Sequence, residues 1–211
     1  MLHVVPVLIQ RFILSPLFGI YSAVFGYPKI FGLENLEYLD KHRPTIFASN
    51  HKSQIDPVII PWALGPFSKL LPIYFLTLEK KYYSHLPLNL LFGGILFDIL
   101  GGVKTVRGIK EYEISLCHHI ELLRCKRNMC IFVEGGIQKG DTLGEAKSGI
   151  GYLAKVSGAI VVPVAIKRSQ RRTFPDTVIF GKPINKFESG YSYKQIAQNI
   201  MSEIAKIYKT T

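Results

Sequence analysis

Carboxylates are scarce in this sequence. Among 211 residues, 15 Asp and Glu stand against 26 Lys and Arg, a formal net charge of +11. Charged residues of either sign make up only 19%, while 48% are hydrophobic. Disorder needs the opposite balance and is excluded. Cysteines number three, Cys117, Cys125 and Cys130. An odd count without metal-type spacing excludes a disulfide scaffold and points to reduced, buried thiols, as in a cytoplasmic compartment. Long uncharged runs are too few for a polytopic membrane protein. The G-x-x-x-x-G-K-S/T spacing of a nucleotide-binding P-loop is missing. So is the interleaving of aromatic and basic residues that would suit nucleic acid, and no such partner is expected. What remains is a chain at once basic and apolar, a combination suited to an anionic lipid surface.

The longest apolar stretch is Phe12 to Pro28, free of charge and bounded by Arg11 and Lys29. As a helix it spans about 26 Å, marginal for a hydrocarbon core of about 30 Å. Pro16, Gly19 and Gly26 interrupt it, and no cleavage site of a secretory signal follows. The expectation is a helix or broken helix dipping into one leaflet, with residues 1–32 as a membrane-associating segment and 33–211 as the catalytic domain. Beyond Gly32 strands and helices alternate. Strands are expected over Thr45–Ser49, Leu70–Leu76, Val103–Val106, Met129–Val133, Ile160–Ile166 and Thr177–Phe180. Helices are expected over Ile109–Cys125, Ala146–Val156 and Tyr191–Tyr208. The alternation argues an α/β fold, with a mixed, largely parallel sheet flanked by helices.

Four blocks invite a chemical reading. Asn50-His51-Lys52-Ser53-Gln54-Ile55-Asp56-Pro57 follows directly on a strand, where active-site loops gather in open α/β sheets. His51 and Asp56 would stand about 140° apart on a straight helix, so they can meet only across a bend. Ser53 is expected to cap the helix that Asp56 opens. A carboxylate on one imidazole nitrogen fixes the tautomer and leaves the other nitrogen free to accept a proton. In the second block, Arg107 follows a strand and suits a phosphate. The third, Phe132-Val133-Glu134-Gly135-Gly136-Ile137-Gln138-Lys139, turns a strand into a glycine-rich loop whose amides suit an oxyanion or phosphate. In the fourth, Val161 to Ile166, Pro163 marks a sheet edge or the mouth of a site, because it cannot donate to a ladder. His118 and His119 are adjacent on a helix rather than four apart, so no metal site is expected. The cluster Lys167, Arg168, Arg171 and Arg172 reads as a solvated loop or a contact for anionic lipid.

In this order the blocks resemble the glycerolipid acyltransferase superfamily, which includes the 1-acylglycerol-3-phosphate acyltransferases. The family pattern is N-H-x-x-x-x-D, then G-x-x-x-x-x-R, then F-P-E-G-T-R, then a V-x-P-V-like strand. The resemblance implies that His51 is the general base and Asp56 its support. It places Glu134 and Gly135 in the acceptor site and makes Arg107 a phosphate contact; Asn50, Ser53 and Gly136, in the same blocks, are expected to bind substrate. It further implies no cofactor beyond acyl-CoA or acyl-carrier protein as co-substrate, a lysolipid such as lysophosphatidic acid as acceptor, and no acyl-enzyme. The location it implies is the cytoplasmic face of the membrane, monotopic or peripheral, in phospholipid biosynthesis. Leu86 to Val103 is apolar enough to line an acyl groove or touch lipid, or to pack as core. The chain departs from the pattern in the third block, where Val133 replaces Pro and Gly136-Ile137 replace Thr-Arg. Lys139 is expected to restore that arginine's charge. The altered block also supports an alternative, a non-catalytic lipid-binding or membrane-anchoring protein on a degenerate scaffold; intact His51 and Asp56 oppose it.

Overall fold

The computed structural model describes residues 4–40, 42–78, 95–105, 109, 111–138, 140, 142–168 and 177–210. A seven-stranded sheet organises them. Its strands are β1 (Lys29–Phe31), β2 (Thr45–Ser49), β3 (Ile73–Leu78), β4 (Gly102–Thr105), β5 (Asn128–Phe132), β6 (Ile160–Lys167) and β7 (Thr177–Phe180). Their order is β1-β7-β6-β2-β5-β3-β4. All neighbours are parallel except β6 and β7. The mixed, largely parallel sheet is therefore as expected. Parallel sheets are covered on both faces, which explains why β2 reads TIFAS and β6 IVVPVAI without polar alternation.

Side chains of β2 alternate between two cores. Ile46 and Ala48 join the layer formed with α5 (Tyr112–Ser115), α6 (Cys117–Arg124), α7 (Gly149–Ser157) and α8 (Tyr193–Lys209). Phe47 points the other way, towards Ile59 and Ile60 of α3 (Asp56–Leu64). Helix α8 begins with a capping box between Ser192 and Gln195 and buries Ile196, Ala197, Ile200 and Ile204. Gly151 lets α7 and α8 approach closely: a Cβ there would lie 2.0 Å from the Tyr193 carbonyl oxygen.

Three expectations need correction. The helix expected over 109–125 is two, because Leu116 leaves helical geometry (φ −118°, ψ 15°) while its side chain enters the core. Pro163 lies in a central strand, not at an edge; its carbonyl accepts from Gly181, just past the end of β7, so its missing N–H falls where that ladder has stopped. Cys130 is buried, but Cys125 is exposed; all three thiols are free.

The N-terminal element is one helical rod: α1 (Val4–Leu8), a π-helical stretch Ile9–Leu14, and α2 (Ser15–Phe25). Pro16 follows directly on the π-helical stretch, and the backbone stays helical through Leu14 and Ser15, so the rod does not break there. Pro6, Gln10 and Ser22 are buried on its inner stripe, and Phe18 meets Trp62 of α3 at 6.1 Å between ring centroids. Gln10 is the clamp. Its amide donates to the carbonyls of Ile73 and of Leu100, which ends α4 (Ile95–Leu100), and its oxygen accepts from the Ile73 N–H. Most of the rod's apolar surface stays exposed, and Val5–Val24 is long and apolar enough to cross a membrane by length and composition. β1, within the expected N-terminal segment, is a strand of the sheet, paired with β7.

Candidate active site

The C-terminal ends of β2, β5 and β6 lie side by side, Ser49 beside Phe132 and Val164. The chain leaves β2 through Asn50 and bends back to open α3 at Asp56. That bend brings His51 Nδ1 to 3.0 Å from Asp56 Oδ2. The same oxygen accepts the N–H groups of Lys52 and Ser53, each at 2.7 Å. Oδ1 accepts from the Arg168 guanidinium. Burial alone pushes the Asp56 carboxyl up. The His51 hydrogen bond, the Arg168 charge and hydrogen bond, and the Ser53 N–H outweigh it and hold the group below its ordinary value of 3.8.

An ionised Asp56 accepts a hydrogen bond and cannot donate one, so His51 carries its proton on Nδ1 and its lone pair on Nε2. Asp56 is wholly buried, whereas the His51 side chain retains 15% exposure. The imidazole stacks on Phe132 at 3.9 Å and 15° between planes, which fixes its rotation. This arrangement can accept a proton from a hydroxyl at Nε2 while Asp56 stabilises the resulting imidazolium. Cys130, close by in the core, has its thiol pushed up by burial and by Asp56. It is therefore no nucleophile.

The remaining site residues mostly position the dyad. Asn50, expected to bind substrate, anchors the loop to β6. It is fully buried, its amide donates to the Ile166 carbonyl, and its oxygen accepts the Ile166 N–H. Glu134 is likewise buried; Oε2 accepts the His51 N–H at 2.7 Å and Oε1 that of Gly144 at 2.6 Å. It ties the histidine loop to the third block. Ser53 does not cap α3 with its hydroxyl; Asp56 instead gathers the loop's amides. Gly135 turns the chain at φ +68°, with the Lys147 side chain lying across it. The Gly136 carbonyl accepts from Gln138, whose own N–H donates to the His51 carbonyl. The Lys52 ammonium bonds the carbonyls of Gly140 and Thr142, closing the loop from the other side.

Arg107, Lys139, Arg171 and Arg172 lie outside the described residues, as does half of the stretch 86–103, residues 86–94. Two residues escaped the sequence reading. Arg168, grouped there with a solvated basic cluster, pairs with Asp56; its place one residue past β6, the strand beside β2, was the available signal. Phe132 was named only as part of its block. Among the described residues no cluster of His, Cys, Asp and Glu forms a metal site.

The chain is similar to several known proteins. A Mycoplasma pneumoniae protein named "Probable 1-acyl-sn-glycerol-3-phosphate acyltransferase" is 26% identical over 187 residues, covering 79% of this chain and 66% of that protein. An uncharacterized acyltransferase of Schizosaccharomyces pombe is 26% identical over 181 residues, covering 84% and 60%. The chain thus spans about two thirds or less of the length of these curated relatives. The crystal structure of the 1-acyl-sn-glycerophosphate acyltransferase PlsC from Thermotoga maritima superposes with a TM-score of 0.59 at 19% identity, over 96% of this chain and 82% of that one, a likeness of fold. Residues 31–167, which hold the dyad, its anchors and both flanking strands, match the acyltransferase family model, and the protein is a member of that family.

Proposed function

We propose that the protein transfers a fatty acyl group from an acyl thioester, acyl-CoA or acyl-carrier protein, to the free hydroxyl of lysophosphatidic acid or a related lysolipid. The observation that carries this is the contact of His51 Nδ1 with Asp56 Oδ2. Nε2 takes the hydroxyl proton as the acceptor oxygen attacks the thioester carbonyl. The C–S bond then breaks, and the thiolate recovers the proton from the imidazolium. The reaction balances without a cofactor or an acyl-enzyme. A degenerate lipid carrier needs no base, and the complete dyad argues against one. Lys139 supplies the point charge for an acceptor phosphate in place of the arginine missing from the third block.

The same reading places the protein on a membrane, at its cytoplasmic face, in phospholipid synthesis. The rod's exposed apolar surface and its lack of carboxylates favour this. Its inner stripe meets the domain from Pro6 to Ser22, a length of about 24 Å at 1.5 Å per residue. A rod docked over that length rests in one leaflet, since crossing would pull the domain into hydrocarbon.

The test is thiol release from palmitoyl-CoA with a panel of lysolipids and glycerol 3-phosphate. Lysolipid-dependent release is expected, with His51→Ala lowering kcat by roughly 10²-fold or more. Near-normal turnover in that variant removes His51 from the chemistry, and no release with any acceptor overturns the proposal.

A further inference from the structure

The turn that follows α3 presents Phe67 almost wholly to solvent, at 88% exposure. Gly65, at φ +79°, ends the helix, and Pro66 precedes the aromatic ring. This turn does not stand alone. With the N-terminal rod it flanks an open hollow of about 420 Å³. Phe12, Ser15 and Pro16 form one wall, and Trp62, Pro66 and Phe67 the other. Arg11 brings the only charge to the lining, and its guanidinium donates to the Ser68 carbonyl at 3.3 Å. That bond fixes the turn against the rod. Phe12, itself 64% exposed, and Phe67 therefore open onto the same hollow.

We infer that the Phe67 turn is a second membrane contact, inserted beside the rod into a bilayer containing anionic lipid, with lipid filling the hollow between them. The inference rests on the proposed membrane location of the rod. Three features select a bilayer as occupant. The walls are apolar and continuous with the rod's exposed face of Leu17, Ile20 and Val24. Cations flank this surface: Arg11 in the lining and an exposed Lys29 past the end of the rod. No carboxylate occurs in residues 4–29. Apolar and aromatic side chains collared by Lys and Arg suit the boundary between headgroups and acyl chains. Two fixed contacts also set a tilt, which a single rod leaves free to roll about its own axis.

Trp62 makes the inference measurable, because it is the only tryptophan of the chain and lines the hollow. The full-length protein is mixed with vesicles of phosphatidylcholine, with and without phosphatidylglycerol. Co-sedimentation and quenching of Trp62 by brominated lipids are then recorded. The expected result is quenching on binding, tighter binding with phosphatidylglycerol, and a loss of about tenfold in partitioning for Phe67→Ser. Phe67 is exposed, so the variant is expected to fold; an unchanged thermal midpoint checks this. Sedimentation with no quenching, or an unaltered partition of Phe67→Ser, overturns the second contact and leaves the rod's role standing. No vesicle binding at all overturns both. Neither readout needs turnover, so failure of the acyl-transfer proposal is seen separately.

Discussion

Arg168 grips Oδ1 of Asp56 while His51 holds Oδ2. The wholly buried carboxylate is therefore shared between a permanent cation and the candidate base. The arginine keeps Asp56 ionised whether or not the imidazole is charged, which a proton acceptor needs at the start of each cycle.

Replacing Arg168 with Met leaves a buried anion with one charged partner fewer, a loss expected at about 3 kcal/mol. Asp56 titrates below its ordinary 3.8 in the fold. The stability it contributes is present above pH 3.8 and disappears as pH falls through the lower folded value. In Arg168→Met the Asp56 pKa rises, so acid unfolding followed by circular dichroism should begin at a higher pH. An acid midpoint equal to that of the parent would show that Arg168 does not hold the charge.

His119 gives a second, separate pH effect. It is fully buried in α6, and Nε2 faces the Val103 carbonyl at 3.3 Å. Burial pushes its pKa from 6.5 down to about 4, against the opposing Val103 hydrogen bond and with a small push from His118. A depressed base is neutral in the fold and protonated in the unfolded chain between these values. Stability should therefore fall as pH drops from 6.5 to 4, by about 3 kcal/mol. Urea unfolding of the parent and of His119→Gln at pH 7 and pH 4.5 checks this; the variant should lose less between the two. Equal losses would place the titration elsewhere.

Gly151→Ala tests the contact between α7 and α8. The added methyl would lie 2.0 Å from the Tyr193 carbonyl oxygen, a backbone atom that cannot rotate away. The helices must part, and a loss of about 2 kcal/mol is expected in urea unfolding. An unmoved midpoint would mean that the two helices slide freely.

Much of the sheet was legible because buried parallel strands are short β-branched or aromatic runs bounded by turn residues. Thr45–Ser49 and Thr177–Phe180 appear with the bounds expected of them. β1 was not legible: Lys29–Phe31 is three residues at an edge, recognisable only through its pairing with β7. Spacing required His51 and Asp56 to meet across a bend, and they do. The roles of Asn50 and Glu134 were hidden, since motif position says that a polar group is needed but not whether it faces a ligand or a backbone. Arg168 was hidden because its partner is more than a hundred positions away and only strand order joins them.

The Gln10 clamp has a consequence for biosynthesis. The helical rod is made first, but the backbone groups that receive Gln10 belong to Ile73 and Leu100, and β1 waits for Thr177 to Phe180. Until residue 100 of these 211 has been made, the greasy rod has no complete home on its own domain. Early capture by lipid, or shielding by a chaperone, is the natural way to carry it until Leu100 arrives.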